Sequence, residues 1–144
     1  MEINHLLVAY RGGGGDDELL RMGCRLVREL RGAKLSLVHV VEVPMSFALD
    51  ATDAPGVELA EQVLEHCEGV GNEFGVSLNG ETIPAREAGA VIVEAATNMG
   101  VDVVLVGTGE VHGSGGNQLR PTPEFVMQNA SCAVLLGRFP RNGG

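Results

Sequence analysis

Two glycine-rich segments carry residue types that could bind an anion. Residues 107–116 follow a long apolar run, and this segment also contains His112 and Ser114. Glycine lets a ligand approach the backbone closely, and successive N–H groups can cradle an anion. Residues 12–15 are also all glycine, but the acids of residues 16–18 follow them and would repel a phosphate. Residues 107–116 are therefore the stronger candidate for an anion-binding segment. Residues 12–15 are interpreted as a flexible connection between a strand and a helix.

Neither segment matches a known phosphate-binding or catalytic motif. Residues 12–15 lack the Lys-Ser/Thr pair of a nucleoside-triphosphate loop and do not fit Gly-x-Gly-x-x-Gly. Ser114 is not in a Gly-x-Ser-x-Gly motif, and no second histidine lies at metal-ligand spacing from His112. His39 lies in an apolar run and is predicted to be a core histidine, whereas His5 and His66 are predicted at a strand edge and on a helix surface. The sequence therefore predicts no catalytic residue and no metal site.

The three cysteines do not indicate redox or metal chemistry. Cys24, Cys67 and Cys132 are far apart and form no Cys-x-x-Cys pair. Two of them fall on apolar helix faces, and the third precedes an apolar run. They are predicted to be small buried hydrophobic residues in a reducing compartment.

Composition limits the class of protein. The 144 residues fit one domain spanning 1–144, with a hydrophobic content of 44% but only 3% aromatic residues. A formal net charge of −9 disfavours nucleic acid as a partner, because phosphate contacts require a basic face. No apolar run approaches the ~20 residues that cross a bilayer, and the first residues lack the features of a signal peptide. We expect a cytoplasmic protein that does not insert into membranes.

Strands and a helix are predicted on either side of residues 107–116, and they would position this segment. Residues 101–107 form a continuous apolar run, which is typical of a buried strand in a parallel sheet. Thr122, Pro123 and Glu124 predict a helix start, with Thr122 as the N-cap, and this helix should end near Asn129. Residues 133–137 are predicted to be a second buried strand.

The rest of the chain alternates between strand and helix patterns. Strands are predicted over residues 3–10, 34–43 and 76–83, the last at a sheet edge because Asn79-Gly80 is a turn signal. Helices are predicted from Asp16 to about residue 31, over 57–74 and over 89–99. The alternation implies a single-domain, open, five-stranded parallel sheet with helices on both faces. Open sheets of this class bind ligands at the carboxyl ends of their strands.

These segments, in this order, resemble the universal stress protein family over nearly the whole chain. The resemblance rests on residues 6–10, 37–44, 102–109 and 129–136. It implies a Rossmann-like fold, commonly dimerised by pairing of the last strands, here Ala133, Val134, Leu135 and Leu136. At a sheet edge, the apolar side chains of this strand would need a second chain to cover them.

Many members of this family bind ATP through Gly-x-x-Gly, nine residues, then Gly-Ser/Thr. Gly107 fits the first glycine, but Glu110 falls at the second, and Arg120 and Pro121 fall on the final pair. In those members an aspartate ends the first strand, whereas Arg11 stands here. Losing two or more donors at ~1.5–3 kcal/mol each would weaken ATP binding by orders of magnitude.

The resemblance also defines candidate ligand-binding residues. Val41 fits loosely the position that faces adenine, and Arg11 and Arg120 could together hold a smaller anion. Alternatively, each arginine pairs with a nearby acid such as Glu110. The candidate ligand-binding residues are Arg11, Val41, Val106, Gly107, Gly109, Arg120 and Thr122.

Three functions remain open on these grounds. The first is a non-enzymatic, homodimeric regulatory module for stress response, with an eroded ATP site. The second is an adenine-nucleotide-binding protein that takes ATP or AMP. The third, a weak nucleotide hydrolase, is least favoured because the phosphate donors and a base are missing. The ligand is therefore unknown, with an adenine nucleotide or a small anion as the candidates and no metal.

Overall fold

A computed structural model of the chain describes residues 1–13, 15–109 and 120–140. The strands are β1 (His5–Tyr10), β2 (Lys34–Glu42), β3 (Leu78–Ala85), β4 (Val103–Gly107) and β5 (Ala133–Gly137). The helices are α1 (Asp16–Glu29), α2 (Ala60–Glu73), α3 (Ala88–Met99) and α4 (Pro121–Asn129), and a 3-10 turn (Val57–Leu59) precedes α2. Among the described residues, no helix is both long and apolar enough to cross a membrane.

The five strands form one parallel sheet in the order β3-β2-β1-β4-β5. The chain moves outward from β1 in one direction as far as β3 and then returns to the other side of β1 with β4. The carboxyl ends of β1 and β4 therefore flank the point where the direction of winding reverses, which is where open α/β sheets bind ligands. The predicted five-stranded parallel α/β fold is confirmed.

Helices cover both faces of the sheet, as predicted. Leu6, Val8 and Tyr10 of β1 pack with residues of α1 and α2 on one face. Leu7 and Ala9 point the other way and pack with residues of α3 and α4. This alternation along a strand is the reason why a continuous apolar run is needed when both faces are covered.

Strand β3 lies at a sheet edge, as predicted, but Asn79-Gly80 does not interrupt it. The strand runs continuously through both residues, and neither has a positive φ. A Cβ on Gly80 would lie 3.3 Å from Leu64 of α2, so the glycine allows close packing of the helix rather than a turn. Pro84 is accommodated near the end of the strand because an edge strand needs fewer ladder hydrogen bonds.

The prediction that residues 133–137 form a buried strand was half wrong. They form strand β5, but Leu135 is 49% exposed and Leu136 is 37% exposed. Cys132, just before the strand, is also only partly buried. Because β5 pairs with β4 alone and forms the second edge of the sheet, its apolar side chains are incompletely covered.

Helix α4 begins earlier than predicted. Arg120 is the N-cap and Pro121 is the first helical residue, so Thr122 lies inside the first turn and is not the cap. The N–H group of Glu124 donates to the carbonyl of Arg120 at 3.1 Å. Proline suits the first helical position because its φ is already helical and its missing N–H would be unpaired there.

Candidate functional site

The candidate site lies where the carboxyl ends of β1 and β4 meet. Arg11 directly follows β1, and its Nη2 donates a hydrogen bond to the carbonyl oxygen of Gly107, the last residue of β4, at 3.0 Å. Its Nε is buried and has no hydrogen-bond partner among the described residues. The guanidinium group therefore lies across the gap between the two strand ends.

A buried carboxylate closes the turn after β1. Asp16 is only 4% exposed, and its Oδ2 accepts hydrogen bonds from the backbone N–H groups of Arg11 at 2.7 Å and Gly12 at 3.1 Å. The backbone N–H of Asp16 donates in turn to the carbonyl of Gly13 at 3.0 Å. The amides of Arg11 and Gly12 are thus bound to an anion that belongs to the protein.

Sequence reasoning missed this role of Asp16. From the sequence, Asp16 is only the first of three acids that would repel a phosphate at the start of the helix. The available signal was its position as the first acid after a glycine run, because an aspartate there can fold back on preceding backbone amides.

Gly107 lies against the same carboxylate. A Cβ on Gly107 would lie 3.0 Å from Oδ1 of Asp16, closer than a Cβ atom normally approaches another atom. The group that approaches the backbone at Gly107 is therefore a side chain of α1, whereas the sequence predicts the approach of a ligand there.

The N-terminus of α4 has few free donors. Pro121 and Pro123 have no backbone N–H, and the N–H of Glu124 is already bound to the carbonyl of Arg120. Only Thr122 has an N–H among the first three residues of the helix. A helix N-terminus that binds phosphate does so through several such groups, so this one is poorly equipped.

Gly109 and Arg120 are brought together at the two ends of the segment that is not described. Gly109 has a φ of 80°, a conformation that favours glycine, and a Cβ there would lie 3.1 Å from Cγ of Arg120. The aliphatic part of Arg120 therefore packs directly against the backbone at Gly109. Glu110, His112 and Ser114 lie outside the described residues, as does the alternative in which an arginine pairs with Glu110.

Val41 and Val106 are covered by the protein itself. Val106 has no exposed surface and packs in the core formed with α3 and α4. Val41 is 7% exposed and packs with Val43, Ala54 and the residues around them. Of the predicted set, the structure thus joins Arg11 to Gly107 and Gly109 to Arg120, places Thr122 in the adjoining helical turn, and leaves Val41 apart on β2.

A segment after β2 provides the cover over Val41. The Nη1 atom of Arg86 donates to the carbonyl oxygens of Val43, Pro44 and Phe47 at 3.2, 2.8 and 2.9 Å. One guanidinium nitrogen therefore holds the start of this segment on the carboxyl edge of the sheet.

A second polar cluster lies on the α1 and α2 side of the same edge. Asp17 Oδ1 accepts a hydrogen bond from the hydroxyl of Tyr10 at 2.8 Å and lies 2.9 Å from Nε2 of His66. Burial would raise the pKa of Asp17, but the hydrogen bonds from His66 and Tyr10 outweigh it and hold that pKa below its usual value. Burial, together with the hydrogen bond to Asp17, raises the pKa of Tyr10 far above its usual value. The tyrosine is therefore a neutral donor that fixes the carboxylate.

The remaining titratable groups of the core are unsuited to nucleophilic or acid–base chemistry. His39 is buried, as predicted, and burial lowers its pKa; its Nδ1 lies 3.1 Å from Oγ1 of Thr82. Cys24 and Cys67 are buried, also as predicted, and burial raises the pKa of Cys67 to about 12. A thiol with so high a pKa is not a nucleophile at neutral pH. Within residues 1–13, 15–109 and 120–140, no three His, Cys, Asp or Glu side chains are placed to hold a metal ion.

Comparison with known proteins places the chain in a family. The model of the universal stress protein family matches residues 2–138. Universal stress protein A homolog 2 of Coxiella burnetii (strain RSA 493 / Nine Mile phase I) is 34% identical over 140 residues, covering 93% of this chain and 94% of that protein.

Solved structures show the same fold. A universal stress protein in complex with cAMP superposes with a TM-score of 0.74 at 14% identity, covering 96% of this chain and 98% of the other. The universal stress protein from Archaeoglobus fulgidus in complex with dAMP gives a TM-score of 0.69 at 15% identity, covering 94% and 98%. With a family match over nearly the whole chain and a relative above 30% identity, this chain belongs to the universal stress protein family.

Proposed function

We propose that this chain is a cytoplasmic, non-enzymatic regulatory module of the stress response, in which the ATP site of the family is eroded. The observation that carries the proposal is the buried carboxylate of Asp16, which is bound to the backbone amides of Arg11 and Gly12. These amides stand at the carboxyl end of β1, where a polyphosphate would otherwise find donors. The protein supplies its own anion to them.

The energetic consequence for a polyphosphate is large. Charge-assisted hydrogen bonds contribute about 1.5–3 kcal/mol each, so a site whose two amides are already bound to a carboxylate lacks about 3–6 kcal/mol of phosphate binding relative to a site whose amides are free. Such a loss corresponds to roughly two to four orders of magnitude in affinity. The carboxylate would also repel the phosphate, and the donor-poor N-terminus of α4 offers little compensation.

The second candidate is binding of an adenine nucleotide with few phosphates, such as AMP. Two observations favour it. Related structures were solved in complex with cAMP and dAMP. In this chain, the buried Nε of Arg11 has a hydrogen to donate and no acceptor among the described residues. A nucleotide hydrolase is the weakest candidate, because the amides of Arg11 and Gly12 are already bound to Asp16 and the N-terminus of α4 has few free donors for phosphate.

Thermal unfolding in the presence of ATP, ADP, AMP and inorganic phosphate separates these functions. A ligand at 100 times its dissociation constant stabilises the folded chain by about 2.7 kcal/mol. We expect no shift with ATP or ADP at millimolar concentration. A shift with ATP would contradict the eroded site, whether or not Arg11→Ala abolishes it. A shift with AMP alone that Arg11→Ala abolishes would establish the second candidate, and phosphate release under single-turnover conditions would establish the third.

We also propose that the module is a homodimer formed through β5, the strand of Ala133, Val134, Leu135 and Leu136. Its two leucines are exposed, as are Phe125 and Met127 of the neighbouring α4. Leu135 and Leu136 lie on an edge of the sheet that a second copy would cover, and Phe125 and Met127 add exposed apolar surface on α4. Light scattering at micromolar concentration should give twice the chain mass, and Leu135→Lys should shift it towards one chain mass. A monomer for the unmodified chain would refute this interface.

A further inference from the structure

A cavity lies at the amino edge of the sheet, opposite the candidate site. It has a volume of about 550 Å³ and extends between the starts of β1, β2 and β3, the last turn of α1 and the connection from α2 to β3. Pockets that hold small organic molecules typically measure about 300–1,000 Å³. The cavity is separated from Arg11 and Gly107 by the length of the strands, so it is distinct from the candidate site above.

The charge of this cavity is opposite to that of the protein. Arg28 and Lys34 line it, and none of the described lining residues is an aspartate or glutamate, although the chain carries a net charge of −9. Lys34 is the chain's only lysine. The carbonyls of Leu26 and Val27, near the end of α1, already accept the N–H of Leu30 at 3.1 Å.

Asp102, an acid outside the lining whose charge acts on His5, is already bound to backbone amides. Oδ2 of Asp102 accepts hydrogen bonds from the backbone N–H groups of Asn4 at 2.7 Å and His5 at 3.0 Å. Burial and the positive charge of Lys34 lower the pKa of His5 despite the influence of Asp102. His5 is therefore neutral near pH 7, and the positive charge of the cavity comes from Arg28 and Lys34.

The rest of the lining combines polar groups with an apolar wall. Ser36 is buried, and its Oγ lies 2.7 Å from Nε2 of His5. Asn79, which is in register with Ser36 on the neighbouring strand, adds an amide group. Val27, Leu35 and Val76 supply apolar surface on the side of α1. A few convergent polar groups beside apolar walls are the usual composition of a small-molecule site.

We propose that this cavity binds a small organic anion, a carboxylate or phosphate monoester on an apolar body. Arg28 and Lys34 hold the anionic group, the side-chain amide of Asn79 donates a hydrogen bond to it, and the apolar body lies against the valine and leucine wall. This cavity shares no residue with the candidate site at the carboxyl edge, so the proposal holds whether or not that site binds a nucleotide.

Titration of the full chain with benzoate and its neutral analogue benzamide, followed by amide NMR shifts at constant ionic strength, tests the proposal. We expect saturable shifts at residues 34–36 and 75–79 with benzoate, and at least about five-fold weaker binding of benzamide, because the neutral amide lacks the charge that strengthens hydrogen bonds to cations. Phenyl phosphate is the second anionic probe. If it binds more tightly than benzoate, the ligand class is a phosphate monoester, and the reverse order assigns a carboxylate.

Charge variants provide the matched comparison. Lys34→Gln and Arg28→Gln should each weaken benzoate binding by at least about three-fold, whereas Arg31→Gln, an exposed cation nearby that does not line the cavity, should change it by less than about two-fold. All three positions are exposed, so the variants should fold. Equal binding of benzoate and benzamide, shifts confined to residues near Gly107, or an equal effect of Arg31→Gln would overturn the proposal.

Discussion

Replacing Asp16 by alanine tests whether the buried carboxylate organises the end of β1. The substitution removes the acceptor for the N–H groups of Arg11, at 2.7 Å, and Gly12, at 3.1 Å. Bonds to a charged group contribute about 1.5–3 kcal/mol each, but Gly12 is exposed and its N–H can turn to water. We therefore expect the free energy of unfolding to fall by about 2–4 kcal/mol in Asp16→Ala.

Urea and thermal unfolding measure this loss. For a chain of this size, 1 kcal/mol corresponds to roughly 3–4 °C in Tm, so the melting temperature should fall by about 6–16 °C. Glu18→Ala is the matched control, because Glu18 lies in the same helical turn but is exposed, and its ion pair with Arg21 is exposed as well. An acid that acts only on the helix dipole or in an exposed pair contributes less than about 1 kcal/mol.

A double-mutant cycle with Gly107 tests whether the side chain of Asp16 is held against the end of β4. In Gly107→Ala, the new Cβ would lie 3.0 Å from Oδ1 of Asp16, so part of its destabilisation should disappear when Asp16 is already alanine. Equal losses in Asp16→Ala and Glu18→Ala, or additive effects at positions 16 and 107, would refute the account of a carboxylate held between the two strand ends.

Two further predictions concern packing and pH. Gly137→Ala should lower the free energy of unfolding by about 1–3 kcal/mol, because its Cβ would lie 2.6 Å from Cδ1 of Leu19. A Cβ on Gly13 would have no heavy atom within 4 Å, so Gly13→Ala should lower the free energy of unfolding by less than half as much. Equal urea midpoints for the two variants would contradict this prediction. Burial lowers the pKa of His5 and of His39, so both groups stabilise the fold fully above about pH 6.5, and this contribution is lost as the pH falls towards their folded values. The urea midpoint should therefore be lower at pH 5.5 than at pH 7.5, and His39→Gln should reduce the difference; an undiminished difference would show that His39 is not responsible.

The order and type of the secondary-structure elements were predictable from the sequence because their signals are local. A run such as residues 103–107 is apolar at every position, so it fits only where both faces are covered. Gly100 ends α3 in the left-handed conformation, with a φ of 65°, as its position after the last apolar residue indicates. The burial of Cys24, Cys67 and His39 followed from the apolar periods in which they lie.

The contacts within the candidate site could not be predicted from the sequence, because they join distant parts of the chain. Arg11 and Gly107 are 96 residues apart, and no local pattern shows that a guanidinium group from one strand end meets the carbonyl of the other. The exposure of β5 depended equally on the strand order, because the same apolar run would be buried at the centre of a sheet.

By itself, the sequence determined which segments become strands and helices, since apolar period, glycine and proline act on neighbouring residues. Only the tertiary structure decided that Asp16 turns back onto the end of β1 and that Gly107 lies against it, because a carboxylate binds whichever amides the folded chain brings within 3 Å or so of it.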